Sequence, residues 1–173
     1  MLLKLAVAAA AVALSCTVAT AEDAKPNDAQ IAHIAYTAGQ IDINPAELAL
    51  QKSRNPEVRD FAENMVRDHT AVNDQALALV KKLQVTPQDN DTSKALVKQA
   101  AAKEAELKQL NGAAFDKAYA DNEVAYHKTV NNALETALIP DANNPELKDL
   151  LTTGLKIFQG HEQHAEHVAQ SLK

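Results

Sequence analysis

Apolar residues recur along this chain at steps of three and four, in long runs separated by short polar links, which is the period of amphipathic helices. The first run is Ile31, Ile34, Ala35, Ala38 and Ile41, after an Asp28 suited to capping a helix start. Asn44-Pro45 predicts an interruption there, because Asn caps and Pro occupies a first turn. A separate segment Pro45 to Ser53 follows, with Leu48 and Ala49 inward. Asn55-Pro56-Glu57 repeats the start signal. The helix it opens runs to about Leu83 through Val58, Phe61, Ala62, Met65, Val66, His69, Val72, Ala76, Leu77, Val80 and Leu83.

Pro87 and its polar neighbours mark a loop from Gln84 to Asp91. Thr92 or Ser93 opens a third helix to about Leu110, with Leu96, Val97, Ala100, Leu107 and Leu110 inward. Asn111-Gly112 reads as a C-cap or kink. A fourth helix spans Ala113 to about Leu138, Pro140 to Asn144 turns the chain, and a last helix starts at Asn144-Pro145-Glu146. Period-two alternation is absent, so the pattern predicts an all-α, antiparallel four-helix bundle with a kinked or split first helix. The run 55–61 also echoes 144–150, through a duplicated hairpin or through shared capping chemistry.

The first 21 residues read differently. Lys4, an apolar stretch from Leu5 to Leu14 and Ala19-Thr20-Ala21 form a secretory signal too short to span a bilayer. This predicts cleavage at Ala21, export to a periplasm, a tether over 22–27 and a bundle over 28–173. A lipoprotein signal ending at Cys16 is the alternative. Cys16 is the sole cysteine, so the mature chain has no disulfide and no thiolate ligand. Lys4 is also the leader's only charge, so the remainder carries 16 basic against 23 acidic residues, a net −7. That balance argues against nucleic acid and anionic membranes and is compatible with cations. No membrane span is expected in the mature chain, no protein partner is specified, and apolar surface on the first helix is compatible with a homodimer.

Ionisable groups interrupt the apolar stripes. Glu123 and His127 lie one turn apart on the buried face of the fourth helix. His69 stands four after Met65, and His161 three after Phe158. Asp42 falls on the first stripe if the helix reaches it. Burying such groups costs several kcal/mol unless each finds a partner or a metal. Bundles of antiparallel helices build metal sites from inward carboxylates and imidazoles. The candidate ligands are therefore His69, Glu123, His127 and His161, with Asp42, Asp68, Glu162 and His164 as alternates. His167 reads as solvated, and Tyr126 as a hydrogen-bond donor to the site. Mixed N/O donors suit one divalent ion among zinc, iron, copper, nickel and manganese, without choosing. The competing reading is a metal-free buried polar network in a structural or interaction module of the cell envelope. Nothing points to an enzyme: Ser53, Ser93 and Ser171 sit at helix ends, and four glycines leave little room for a phosphate loop.

Several strings together give the chain a family likeness. They are Asn55-Pro56-Glu57-Val58-Arg59-Asp60-Phe61-Ala62, Met65-Val66-Arg67-Asp68-His69-Thr70-Ala71-Val72-Asn73, Gly112 to Tyr119, Asn122-Glu123-Val124-Ala125-Tyr126-His127, Leu138-Ile139-Pro140, and the helix ending in His161 and His164. With them the chain resembles the exported bacterial family of ferritin-like domains of unknown function, over almost the whole mature length. The resemblance implies a ferritin-like core and export, and no activity. The chain departs from the Glu-x-x-His pattern of di-iron ferritins: Val66 follows Glu63 by three and Ala165 follows Glu162 by three. A ferroxidase centre is therefore not expected, and a mononuclear or irregular site remains open.

Overall fold

A computed structural model describes residues 25–172. The expected leader, Cys16 and the start of the tether lie outside the described residues. The tether's end is anchored: the Lys25 ammonium donates to Asp141 at 2.6 Å.

Helix α1 spans Asp28–Lys52. Its cap is Asn27, one residue earlier than expected. The Asn27 side chain accepts from the Gln30 N–H while the Gln30 side chain accepts from the Asn27 N–H, both at 3.0 Å, a reciprocal capping box. Asp28 has another task. Its carboxylate accepts from the backbone N–H groups of Asn143 and Asn144, at 2.8 and 2.9 Å. The expected split at Asn44-Pro45 does not occur, and α1 continues through Pro45 as one helix. Proline removes one helical hydrogen bond and crowds the preceding turn. Here Pro45, Ala46 and Ala49 are buried, and packing of the whole helix overrides the local breaker.

Helix α2 is Pro56–Lys82, α3 is Asp91–Gln109 and α4 is Gly112–Ala133. A π-helical turn, Leu134–Leu138, carries α4 into the short α5, Ile139–Asp141. Helix α6 is Pro145–Ser171. The sequence echo is capping chemistry in both copies. The Asn55 side chain accepts from the N–H groups of Glu57 and Val58, and the Asn144 side chain from those of Glu146 and Leu147. Gly112 begins α4 with φ +56°, a backbone conformation that glycine takes without strain.

Helices α1, α2, α6 and α4 form the bundle, each packed on the next around the ring. Short links join α1 to α2 and α5 to α6, making those neighbours antiparallel. Contacts of Glu57 with Ser171 and of Lys82 with Glu146 join opposite ends of α2 and α6. Helix α3 is the long return from α2 to α4 and lies outside the ring against α1. Only Ser93 and Leu107 of α3 are buried, so the expected inward Val97 is half-exposed, as is Leu77 of α2. An outer helix has one narrow contact line, and Val97 falls off it.

The core divides into two apolar blocks. Phe61, Met65, Leu107, Phe115, Tyr119 and Val168 centre one; Ile31, Ile34, Leu134, Leu138, Leu147 and Phe158 centre the other. A layer of buried ionisable side chains lies between them. Among the described residues, no helix is long and apolar enough to cross a membrane.

Candidate metal centre

Each helix of the ring contributes to this middle layer. Asp42 comes from α1, His69 from α2, Glu123 and His127 from α4, and His161 from α6. All five are buried, Glu123 completely. Helical steps of three and four place them there, because each continues an apolar stripe. One donor atom from each of His69, His127 and His161 lies within 4.8 Å of the other two, and the same holds for Asp42, Glu123 and His127.

The surroundings orient the imidazoles. His127 Nδ1 is 3.0 Å from the Glu123 backbone carbonyl. A carbonyl only accepts, so Nδ1 carries the proton and Nε2 keeps its lone pair. Nε2 is buried without a hydrogen bond. His161 Nε2 is 3.0 Å from Asp68, which the Arg67 guanidinium grips through two bonds of 2.7 and 3.0 Å. That arrangement leaves His161 Nδ1 unpartnered in the interior. His69 Nε2 lies 2.7 Å from Asp42 Oδ2, although the approach does not meet hydrogen-bond angles, and His69 Nδ1 has no partner. Phe158 stacks on the His69 ring at 4.5 Å and 3°, fixing its plane. His127 and His161 thus each hold one nitrogen on an outer group and present the other, while neither His69 nitrogen makes a hydrogen bond. Metal-binding histidines are commonly oriented in this way.

The two buried carboxylates divide their roles. Burial alone would raise the Asp42 pKa; the neighbouring His69 and His127 and a hydrogen bond from Glu123 outweigh it, leaving the carboxyl well below its ordinary range. Burial and the Asp42 charge push Glu123 well above its ordinary value. The pair therefore holds a single negative charge, with the proton on Glu123. Burial lowers His127, against the pull of Asp42, and brings His161 to about 4. Neutral imidazole is the form that binds metals.

The alternates separate cleanly. Asp68 orients His161 from the rim. Glu162 is half-buried and accepts from the Asn131 amide at 2.7 Å. His164 packs edge-on against Phe61 at 5.1 Å, in the apolar block beside the cluster. His167 is exposed, as expected. Tyr126 donates to the Ala38 carbonyl at 2.7 Å instead of to the site, clamping α4 to α1. Buried polar residues that were not anticipated include Thr37, Asn73, Asp116 and Asn131. Asn73 and Asn131 stand four residues after His69 and His127, so the same helical step would have found them.

These features define an all-helical bundle whose middle layer joins imidazoles and carboxylates from all four ring helices and could hold a metal ion. The chain belongs to the family described as "Domain of unknown function (DUF4142)", which it matches over residues 13–168. Among solved structures it is similar to "CopM in the Cu(II)-bound form", with a TM-score of 0.66 and 15% identity over 86% of this chain and 99% of that one. At that identity the likeness shows the fold. A comparison with curated proteins finds no match.

Proposed function

We propose that this protein binds one divalent transition metal in the periplasm, where it buffers, senses or protects against that metal. His69, Glu123, His127 and His161 are the ligands, with Asp42 as the alternative carboxylate. The observation that carries the reading is the convergence of unpartnered buried imidazole nitrogens, His127 Nε2, His161 Nδ1 and His69 Nδ1, beside the Asp42–Glu123 carboxyl pair. Each such atom left without a partner costs about 1–3 kcal/mol. A shared cation satisfies several at once.

The donor set fits an ion at modest rearrangement. Two nitrogens bound to zinc at about 2.0–2.1 Å can be at most about 4.2 Å apart. Within either triad, donors within 4.8 Å need close by only a fraction of an ångström; the triads share His127, and bringing Glu123 to the three imidazoles takes further movement. Copper(II) stands high among the candidates: imidazole with carboxylate suits it, it heads the affinity series, and the similar CopM structure is Cu(II)-bound. The leader supports the periplasmic assignment.

Native mass spectrometry tests the reading. Metal-stripped protein is offered copper, zinc, iron, nickel and manganese in competition. Retention of one ion per chain, lost in His127→Ala, is expected. Equal retention by His127→Ala would refute the ligand assignment. A second reading, a metal-free polar network in an envelope interaction module, draws on the closed Asp42–His69 contact. It requires an unchanged melting temperature when metal is added to stripped protein.

A further inference from the structure

The bundle interior is not filled evenly. A cavity of about 370 Å³ opens beside the His69–His127 pair and extends through the apolar block away from Phe61. Its walls include Ile34, Ala76, Val80, Ala133, Leu138 and Leu151. Short side chains at Ala76 and Ala133 leave the space, and the π-helical turn forms part of one wall. Protein interiors normally close to crystal-like density, and voids much larger than a water are few. Apolar pockets of this size with a few convergent polar groups are the usual form of a small-molecule site.

The ionisable and amide side chains of the lining belong to the middle layer: His69, His127 and Asn73. The Asn73 amide nitrogen is buried and has no hydrogen-bond partner. Its side chain is pressed against α1 at Gly39, where a methyl group would come within 2.3 Å of Asn73 Oδ1. An amide N–H without a partner calls for an acceptor. The Asp42 carboxylate, 2.7 Å from His69 and 3.8 Å from His127, disfavours a second negative charge beside it. The rest of the lining is mainly hydrocarbon, with Thr92, Tyr126 and Thr129 among it.

The structure assigns this cavity to a neutral, medium-chain aliphatic alcohol whose hydroxyl faces Asn73 and the two imidazoles, accepting from the Asn73 amide and donating to an imidazole nitrogen such as His127 Nε2. A dry apolar cavity of about 150 Å³ holds benzene, so about 370 Å³ corresponds to a chain of about ten to fifteen carbons. The assignment goes beyond metal binding. It requires no ion, and most of the lining belongs to residues outside the ligand set.

The test is titration calorimetry of the metal-stripped protein with 1-decanol, and with decanoate for comparison. Saturable binding of one decanol per chain is expected, with decanoate at least ten-fold weaker. Ala76→Phe fills the cavity and should weaken decanol binding at least ten-fold while the circular dichroism spectrum stays native. Ala133→Leu serves the same purpose should Ala76→Phe fail to fold. Absence of saturable decanol binding overturns the assignment, as does undiminished binding by a folded, filled variant. Decanoate binding as tight as decanol overturns the neutral head group. Decanol binding by a protein that retains no metal upholds this site while removing the metal reading, so the two fail separately.

Discussion

His69 Nε2 and Asp42 Oδ2 lie 2.7 Å apart across the α1–α2 interface, both almost completely buried. Helix α1 therefore reaches the middle layer with a single charged group, and α2 meets it with an imidazole. Removing one member of a buried pair typically costs about 3–5 kcal/mol, because the other stays behind uncompensated. Asp42→Ala should lower the unfolding free energy of metal-free protein by about that much. Urea denaturation checks this, and a change under 1 kcal/mol would mean that the contact contributes little.

Metal binding should release a proton. Burial and the Asp42 charge raise the Glu123 pKa and favour its protonated form, whereas a ligating carboxylate must be ionised. His127 and His161, with lowered pKa values, arrive neutral. Calorimetric titration with Cu(II) or zinc at pH 7, in buffers of different ionisation enthalpy, should show about one proton released per ion. Glu123→Gln should abolish that release. Identical release from Glu123→Gln would place the proton elsewhere.

His161 gives the apo-protein an acid-sensitive stability. Its folded pKa is about 4, chiefly through burial, against about 6.5 in an unfolded chain. Between those values the unfolded state binds more protons, so stability is lost as pH falls from about 6.5 to about 4. The full effect is about 3 kcal/mol. Glu123 works in the opposite sense: its raised pKa means stability declines as pH rises above the unfolded value near 4.5. The difference between wild type and His161→Leu isolates the histidine. In urea unfolding from pH 4 to 7, the variant should lose less stability on the acid side than wild type, with the lowered His127 accounting for part of what remains.

Gly39 and Asn73 form a close fit between α1 and α2. A Cβ at position 39 would sit 2.3 Å from Asn73 Oδ1. Gly39→Ala should cost about 1–3 kcal/mol by overpacking, despite the better helix propensity of alanine. Asn73→Ala in the same chain should recover much of that loss, giving a double-mutant coupling of at least about 1 kcal/mol. Additive effects in chemical denaturation would show that the two side chains do not meet.

Much of this architecture was legible before any coordinates, for identifiable reasons. Asn55-Pro56 and Asn144-Pro145 begin helices because Asn side chains satisfy free N–H groups and proline lacks one, and both facts are local. Asp42, His69, Glu123, His127 and His161 stood out because each breaks an apolar stripe where a charge is costly. Non-local information lay elsewhere. Pro45 carries a strong local break signal, and the packing of α1 along α2 overrides it. Val97 has the right period but sits on a helix outside the ring. The link from Arg67 through Asp68 to His161 joins residues 93 positions apart, which no spacing along one helix encodes. The cavity was invisible because Ala76 and Ala133 look like ordinary small helix residues until the opposite walls are in place.

The middle layer draws on every helix of the ring, and its third imidazole stands on the last. During synthesis, a chain that has produced α1 to α4 contains Asp42, His69, Glu123 and His127 and still lacks the donor that closes the set. On the proposed ligand set, an ion would not find all its donors until α6 docks, a contact between segments far apart in sequence. Metal retention would then report completeness: a chain cut in the Ala142–Asn144 link would keep most of its helices yet lack the proposed closing donor, His161.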